Sequence, residues 1–226
     1  NGFRCPYHGW LYDATGQCIE QPYEETEDPD ARFKDKIQMK AYPVEQKAGV
    51  LFAYLGPQPA PLLPNWDVYA ADGVLRDIGY AELPCNWLQC QENSLDPLHF
   101  QWLHRYWGGW SVARSKSPEE REKFFAQVAG RGADHHKIGF EITDYGVIKR
   151  RLVGDETEDD EHWRMGHPIL FPNILRVGQG RNFGFQMRIP VDDTHTHHFV
   201  YRVRVPNPGE VLPEQTEIPV NFENVY

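Results

Sequence analysis

Short alternating and continuous apolar runs dominate the first quarter of the chain and predict β-strands. Residues 37–42 alternate between apolar and polar side chains, and residues 49–55 form a nearly continuous apolar run typical of a buried strand. Gly16 follows the polar stretch 13–15, which predicts a hairpin turn with a positive φ at the glycine. Four prolines between positions 57 and 64 then predict a boundary between two domains.

The middle of the chain has helical character. Residues 85–104 are rich in aromatic side chains and contain no glycine, which predicts a mainly helical segment that Pro97 must kink or divide. A second helix has clear start signals, since Ser117 can cap it, Pro118 takes its first position and Glu120 completes a capping box.

Hairpin patterns return in the last third of the chain. Five strands are predicted there, at residues 138–143, 147–153, 173–177, 183–189 and 196–205. Strands that follow helices and are joined as hairpins indicate an α+β fold with an antiparallel sheet.

Composition excludes several classes of protein. Acidic residues outnumber basic ones 33 to 23, and the formal net charge of −10 argues against nucleic acid as a partner. No apolar run reaches the ~18 residues of a membrane-spanning helix, so we expect no membrane partner. Four scattered cysteines do not make a disulfide framework, and no signal peptide is recognisable, so we expect a cytoplasmic protein. The first residue is not Met and no stop signal follows the last, which we interpret as a fragment truncated at both ends.

The first motif with chemical potential is the Cys-Pro-Tyr-His-Gly-Trp run at residues 5–10. A thiolate and an imidazole three positions apart on a tight loop can face one metal centre, and Gly9 lets the backbone turn close to it. Cys5 and His8 are therefore half of a zinc knuckle or half of a Rieske loop, unless they are a buried thiol and a surface imidazole. Cys18 has no adjacent Cys or His, so we expect the missing ligand pair upstream of the first residue.

The second motif lies at residues 92–104, Glu-Asn-Ser-Leu-Asp-Pro-Leu-His-Phe-Gln-Trp-Leu-His. Asp96 and His99 share one helix face, and a carboxylate on the far nitrogen of a metal-bound imidazole fixes its tautomer. His104 follows His99 by five positions, which on a regular α-helix places the two rings about 140° apart. Two ligands to one ferrous ion therefore require a π-bulge, a kink or a helix end, for which Pro97 is a reason. The alternative is two ordinary histidines with Asp96 as a cap.

Together, the two motifs resemble those of the large (alpha) subunit of Rieske non-haem iron aromatic ring-hydroxylating oxygenases. The loop is similar to the second ligand half of the Rieske domain, and the Glu-Asn-x-x-Asp-x-x-His-x-x-x-x-His string is similar to the mononuclear iron motif. Residues 51–57 resemble the strand that closes the Rieske domain, and residues 191–196 resemble a hairpin of phthalate-dioxygenase-like members.

The resemblance implies the domain organisation. Residues 1–56 would be the C-terminal part of a Rieske β-domain, and residues 57–226 a catalytic domain that is incomplete at its C-terminus. The catalytic domain would have a helix-grip fold, in which a curved antiparallel sheet surrounds a long helix.

The resemblance also implies two metal centres. Cys5 and His8 would supply one thiolate and one imidazole to a Rieske [2Fe-2S] cluster. His99 and His104 would hold a mononuclear Fe(II), whose carboxylate ligand we expect beyond Tyr226. The first Cys-x-His pair of the cluster is absent from the chain, so we expect activity to require a longer parent chain.

Electron transfer follows from the same resemblance. Asp96 would bridge an iron-binding imidazole to a cluster histidine of a neighbouring subunit, which implies a homotrimer, and Asn93 would lie near the iron. Electrons would come from NAD(P)H through a separate flavin or iron–sulfur reductase or a ferredoxin, and O2 would be the co-substrate. The substrate would be a small aromatic molecule from a catabolic route, with aromatic carboxylates or aryl ethers favoured and both mono- and dioxygenation open.

The remaining residues of interest receive structural interpretations. Asp192 and Asp193 occupy a predicted turn, and Glu223 is a weak candidate for the third iron ligand. His195, His197 and His198 are predicted to lie on a strand. His135 and His136 are predicted to lie in a solvated loop, and no role is assigned to His162 and His167. Cys85 and Cys90 are predicted to be small buried side chains. Trp102 and Leu103 are candidates for side chains that line a pocket.

Two other functions compete with the oxygenase. A metal-free helix-grip protein derived from this family would bind a small ligand and would not need Asp96. A pure electron carrier would need only the Rieske part, but a carrier has no use for the second metal motif after residue 64.

Overall fold

The structure is a computed structural model that describes residues 2–30, 32–128 and 134–222. The chain divides into two compact units, Asn1–Tyr69 and Ala70–Tyr226. The proline-rich segment at 57–64 contains neither helix nor strand. The domain boundary after residue 56 remains a prediction.

The first unit has five strands and short helices. The strands are β1 (Phe3–Arg4), β2 (Leu11–Tyr12), β3 (Cys18–Glu20), β4 (Val44–Lys47) and β5 (Val50–Ala53). The helices are α1 (Pro22–Glu27), a 3-10 helix (Phe33–Lys36) and α2 (Asp67–Ala70). Strands β1, β2 and β3 form an antiparallel sheet, and β4 and β5 form a hairpin.

The predicted turn between β2 and β3 is confirmed. Asp13 Oδ1 accepts hydrogen bonds from the backbone N–H groups of Thr15 at 2.8 Å and Gln17 at 3.1 Å. Gly16 has a φ of +87°, and a Cβ atom there would lie 2.1 Å from the carbonyl oxygen of Met39. Only glycine combines this backbone conformation with so close an approach.

One strand prediction in this unit was wrong, and a second was confirmed as a strand but not as a buried one. Residues 37–42 form no strand, and only Gln38 makes an isolated bridge, with Gln17. The apolar run at 49–55 yields the shorter β5, in which Leu51 is 71% exposed rather than buried. Within the described residues β5 pairs only with β4, and a continuous apolar run does not reveal how many partners cover a strand.

The second unit is a single large sheet with helices packed against it. Its strands are β6 (Leu75–Leu83), β7 (His135–Thr143), β8 (Gly146–Val153), β9 (His167–Leu170), β10 (Ile174–Gln179), β11 (Asn182–Pro190), β12 (Thr196–Arg204) and β13 (Val220–Phe222). Its helices are α3 (Trp87–Leu95), a π-helix (Phe100–Trp107), α4 (Gly108–Ser115), α5 (Pro118–Val128) and α6 (Glu161–Met165).

The sheet order is β13-β6-β12-β11-β10-β9-β8-β7, with antiparallel pairing everywhere except between β13 and β6. This architecture confirms the α+β prediction and all five strands predicted in the last third of the chain. The capping box of α5 is also confirmed, because the Ser117 N–H donates to Glu120 Oε2 at 2.9 Å and the Glu120 N–H donates to Ser117 Oγ at 3.3 Å.

Both faces of the sheet in this unit bury side chains, because the strand register places Ile169 on one face and Phe185 with Tyr201 on the other. Ile169, Phe185 and Tyr201 are fully buried on β9, β11 and β12. Helix α3 packs on β10 and β11, and Gln91 Nε2 donates to the carbonyl of Ile174 at 3.4 Å. The helices after α3 therefore start from a fixed position over the sheet. No described helix has the length and apolar character needed to cross a membrane.

Candidate active site

The segment that follows α3 is irregular, as its sequence predicts. Helix α3 ends at Leu95, and the chain then passes through Asp96 and Pro97 before the π-helix begins at Phe100. A π-helix closes i→i+5 hydrogen bonds and so brings residues five apart onto one side. The ring centroids of His99 and His104 lie 5.2 Å apart as a result.

Asp96 organises the start of this segment. Its Oδ1 accepts from the Leu98 N–H at 2.8 Å, and its Oδ2 accepts from the His99 N–H at 3.3 Å. The same Oδ2 lies 3.4 Å from His99 Nδ1, which is shielded from solvent and makes no hydrogen bond within the described residues. The carboxylate therefore caps the turn and faces the imidazole at the same time.

The local environment fixes the charge states of these groups. Partial burial opposes the charged form of Asp96, but the hydrogen bonds from Leu98 and His99 outweigh it and hold the pKa of the carboxyl below its usual value. Burial, together with His99 and Arg151, lowers the pKa of His104. At neutral pH this arrangement favours an ionised Asp96 and a neutral His104, and a neutral imidazole is the form that binds a metal.

A cavity of about 580 Å³ lies between the two histidines and the sheet. It is bounded by the end of α3, the π-helix and strands β8 to β11. Polar side chains line much of it, from the sheet at Lys149, Arg151, His167, Gln179, Gln186 and Arg188, and from the segment after β8 and from α6 at Glu156 and His162. Apolar surface comes from Phe100, Val153, Leu175 and Val177. Its volume is typical of a binding site for a small molecule.

Lys149 ties this wall to the histidine segment. Its Nζ donates a hydrogen bond of 2.6 Å to the carbonyl oxygen of Ser94, in the last turn of α3. The same Nζ lies 3.4 Å from the carbonyl oxygen of Asp96, directly after that helix. Burial, reinforced by Arg151, lowers the pKa of this amine to about 8. The ammonium is thus a clamp between β8 and the turn that carries Asp96.

Sequence reasoning missed a histidine–glutamate cluster in the cavity. His162 Nδ1 lies 3.2 Å from Glu156 Oε2, and the rings of His162 and His167 are 5.2 Å apart. Burial, with Arg151 as the next cause, lowers the pKa of His167 to about 3. Had β9 been predicted, its two-residue period would have placed His167 on the same face as the buried Ile169.

Several assignments from the sequence need correction. His135 is not simply solvated, because its Nδ1 lies 3.0 Å from Gln101 Oε1 and its Nε2 is shielded from solvent. Trp102 and Leu103 do not line the cavity but are 64% and 49% exposed. The π-helix turns them outward when it turns His99 and His104 inward.

Two further corrections concern β12 and the start of α3. His195 lies before the strand, in a turn where Asp192 Oδ1 accepts its N–H at 2.8 Å. That bond confirms Asp192 as a turn former. Cys85 and Cys90 are half-buried rather than buried.

The Cys-Pro-Tyr-His loop forms a separate candidate centre in the first unit. The Cys5 N–H donates to the Trp10 carbonyl at 2.8 Å, and the Gly9 N–H donates to the Cys5 carbonyl at 3.0 Å. Gly9 has a φ of +74°, which closes the loop. Cys5 and His8 are both exposed at its tip, so the alternative of a buried Cys5 thiol is wrong.

Comparison with known proteins decides the family. A family model described as the ring hydroxylating alpha subunit (catalytic domain) matches residues 72–224, more than half of the chain. The chain belongs to this family. A second model, the Rieske [2Fe-2S] domain, matches residues 1–43 of the chain. The sequence-based resemblance is therefore confirmed.

Relatives of this alpha subunit are named as oxygenase components. The 5,5'-dehydrodivanillate O-demethylase oxygenase subunit of Sphingobium sp. is 40% identical over 97% of this chain and 48% of its own length. Phenoxybenzoate dioxygenase subunit alpha of Ectopseudomonas oleovorans is 32% identical over 94% of this chain and 51% of its own length. The chain spans about half the length of the curated relatives it matches.

A solved structure supports the fold. NdmA of Pseudomonas putida CBB5 superposes with a TM-score of 0.58 at 17% identity, over 89% of this chain and 53% of that one.

Members of the family use a Rieske [2Fe-2S] cluster and mononuclear iron. The donor sets in this alpha subunit fit part of each centre. His99 and His104 are adjacent imidazoles, the Asp96 carboxylate lies 3.4 Å from His99 Nδ1, where it can fix the tautomer of a metal-binding ring, and Cys5 and His8 share one exposed loop. Within residues 2–30, 32–128 and 134–222, no cluster of three or more His, Cys, Asp or Glu side chains is arranged to hold a metal ion. Glu223 lies outside the described residues.

Proposed function

We propose that this chain is part of a Rieske oxygenase component that oxygenates an aromatic carboxylate or an aryl ether. The observation that carries the proposal is the pair of imidazoles, His99 and His104, held on one side of a π-helix over a cavity of about 580 Å³. π-Helical turns are frequent at functional sites, and this one brings together two imidazoles that a regular α-helix would hold about 140° apart.

We assign His99 and His104 as two ligands of the mononuclear iron, with the third ligand, a carboxylate, supplied from beyond Tyr226. When bound, the iron supplies the site at which O2 is reduced with electrons from the cluster. Asn93 lines the same cavity, and we assign it a position near the iron. Cys5 and His8 are assigned to the cluster.

We assign Asp96 to the connection between the two centres. Its carboxylate lies 3.4 Å from His99 Nδ1, and 46% of its side chain is exposed, so a histidine of a neighbouring subunit can reach it. We infer a homotrimer in which Asp96 carries this connection. A separate reductase or ferredoxin supplies the electrons, and the cytoplasm is the compartment that suits four cysteines without a disulfide.

The substrate class is supported by the names of the relatives and by the cavity. The relatives are named for O-demethylation of 5,5'-dehydrodivanillate and for dioxygenation of phenoxybenzoate. O-demethylation balances as the aryl methyl ether, O2, two electrons and two protons giving the phenol, formaldehyde and water. In this chain, the cavity wall orients the ring and Phe100 offers it an apolar face.

The test is turnover by the holoenzyme under isotopically labelled O2 with a reductase and NADH. The substrates are 5,5'-dehydrodivanillate, 3-methoxybenzoate and 3-phenoxybenzoate. We expect one of the three to yield a product that contains labelled oxygen, or formaldehyde with the matching phenol. Ligand binding without oxygen consumption, in a protein that contains no iron, would support the metal-free binder instead.

A further inference from the structure

We propose that Arg188 binds the carboxylate of the substrate and so selects aromatic acids over neutral rings. This inference rests on the proposed function, because it assigns a substrate group to a residue in the same cavity. It identifies a residue of β11 as the determinant of substrate charge.

The charges that line the cavity are unbalanced. Lys149, Arg151 and Arg188 are cationic, and the only acidic side chain among the described lining residues is Glu156. Glu156 Oε2 is already engaged, since it accepts from the Val153 N–H at 3.0 Å and lies 3.2 Å from His162 Nδ1. The wall therefore carries an excess of positive charge that an anionic ligand would balance.

The three cations differ in how they are held. Lys149 Nζ donates to the carbonyl of Ser94 and is fixed as a clamp. The guanidinium of Arg151 lies over the ring of Phe100, 4.0 Å from its centroid. Arg188 has neither a clamp role nor an aromatic partner, and no ion pair joins it to a carboxylate of the part of the chain that the structure describes.

The guanidinium of Arg188 donates its hydrogen bonds to Gln186. Nη2 donates to Gln186 Oε1 at 2.6 Å, and Nη1 donates to the Gln186 carbonyl at 3.3 Å. Nε is shielded from solvent and has no hydrogen-bond partner among the described residues. Residues 186 and 188 share one face of β11, so the amide orients the guanidinium without neutralising it.

A buried cation with only neutral partners is costly to keep. Arg188 is 4% exposed, and burial lowers its pKa to about 10, which still leaves the group charged at neutral pH. A carboxylate is the group that a guanidinium binds through two parallel hydrogen bonds. The cost of the unpaired charge is recovered only when such an anion enters the cavity.

The experiment measures binding to the anaerobic holoenzyme by calorimetry, so it needs no turnover. The probes are benzoate, 3-methoxybenzoate and 5,5'-dehydrodivanillate, each compared with its methyl ester. The variants are Arg188→Met and, as a matched control, Arg202→Met on β12. Arg202 is paired with Asp77 at 2.8 Å and does not line the cavity.

We expect at least one acid to bind the unaltered protein about tenfold or more tightly than its ester. Arg188→Met should remove that preference, with the ester affinity within about twofold, and Arg202→Met should change neither affinity. Because the removed charge has no acidic partner, the melting temperature of ligand-free Arg188→Met should equal or exceed that of the parent.

Three results would overturn the inference: no acid preferred over its ester, an acid preference that survives Arg188→Met, or equal loss of acid and ester binding in that variant. Failure of the proposed function is a separate result. If acids bind in a way that depends on Arg188 but no oxygenated product forms, the proposed function fails and this inference stands. If neutral anisoles are oxygenated and Arg188→Met does not change that rate, the function stands and only this inference fails.

Discussion

The imidazole rings of His99 and His104 are direct neighbours, with centroids 5.2 Å apart, although five sequence positions separate them. A regular α-helix would turn them about 140° away from each other. The π-helix from Phe100 to Trp107 removes that rotation, and it simultaneously exposes Trp102 on the opposite side. One local change of helix type thus decides which residues face the cavity.

This geometry predicts the metal content of variants. His99→Ala or His104→Ala should each lower the iron content of the holoenzyme by about one atom per subunit while inorganic sulfide stays constant, because only the mononuclear centre loses a ligand. His197→Ala is the matched control, since its ring lies on β12 and is 38% exposed. Equal iron in all three variants would remove His99 and His104 from the ligand set.

Asp96 should separate stability from electron transfer. Asp96→Asn retains an oxygen that can accept from the Leu98 N–H, so the free energy of unfolding should change by less than about 1 kcal/mol. The loss of charge beside His99 should nevertheless slow oxidation of the reduced cluster by O2 and substrate by about 100-fold or more, with iron still bound. Stopped-flow absorbance of the cluster measures this rate. Asp193→Asn, in the exposed turn before β12, is the control, and an unchanged rate in Asp96→Asn would refute the bridge.

The histidine motif illustrates what the sequence could and could not predict. The i, i+5 spacing and Pro97 required an irregular helix, but nothing in the residues distinguished a π-helix from a kink, because that choice depends on how α3 packs against β10 and β11. The alternating runs predicted β7, β8, β10, β11 and β12, but the pattern did not report burial, since Phe140 and Ile142 on β7 are 57% and 88% exposed. Strand β6 escaped prediction because Arg76, Asp77 and Gly79 interrupt its apolar pattern.

The cavity was less predictable than the fold. Its polar wall combines β8, β9, β10 and β11 with Glu156 and with His162 of α6, and no local pattern reports which distant side chains meet. Arg188 follows Phe-Gly-Phe-Gln-Met in a strand whose period alone does not tell a cavity face from a solvent face. The sequence around His162 did not indicate that this residue lines the cavity. His162 approaches His167 only because the short helix α6 leads the chain back to β9.

Acid stability should depend on His198. Its Nε2 is shielded and has no described hydrogen-bond partner, and burial, followed by Arg188, lowers its pKa to about 4. Between about pH 4 and the ordinary value of about 6.5 the unfolded chain binds more protons than the folded one, so stability rises with pH across this window and is lost as pH falls. His198→Gln should flatten the slope by up to about 1.4 kcal/mol per pH unit.

Urea unfolding at several pH values between 4 and 7 measures this slope. His197→Gln, one position earlier on β12, is the control for the change of side chain. A slope in His198→Gln that equals the parent's would show that the ring does not titrate in this window.

Gly146 should be sensitive to any side chain. It has a φ of +150°, and a Cβ atom would lie 2.0 Å from the Ile169 carbonyl oxygen in the paired strand β9. Gly146→Ala should lower the free energy of unfolding by at least about 2 kcal/mol more than Gly180→Ala. Gly180 also has a positive φ, +61°, but a Cβ atom there would meet no atom within 4 Å, so it isolates backbone strain of about 1–2 kcal/mol. Equal losses in the two variants would contradict the clash.

The loop of the first unit predicts a selective loss of the iron–sulfur cluster. Cys5 is exposed at the tip of a loop closed by two backbone hydrogen bonds, whereas Cys18 is buried on β3 with its Sγ 3.6 Å from the Glu20 carbonyl oxygen. Cys5→Ser should therefore abolish the visible thiolate-to-iron absorption and the inorganic sulfide of the holoenzyme. Cys18→Ser should keep both, and its cost should appear only as lower thermal stability. Retention of sulfide in Cys5→Ser, or its loss in Cys18→Ser alone, would show that Cys5 is not the cluster thiolate.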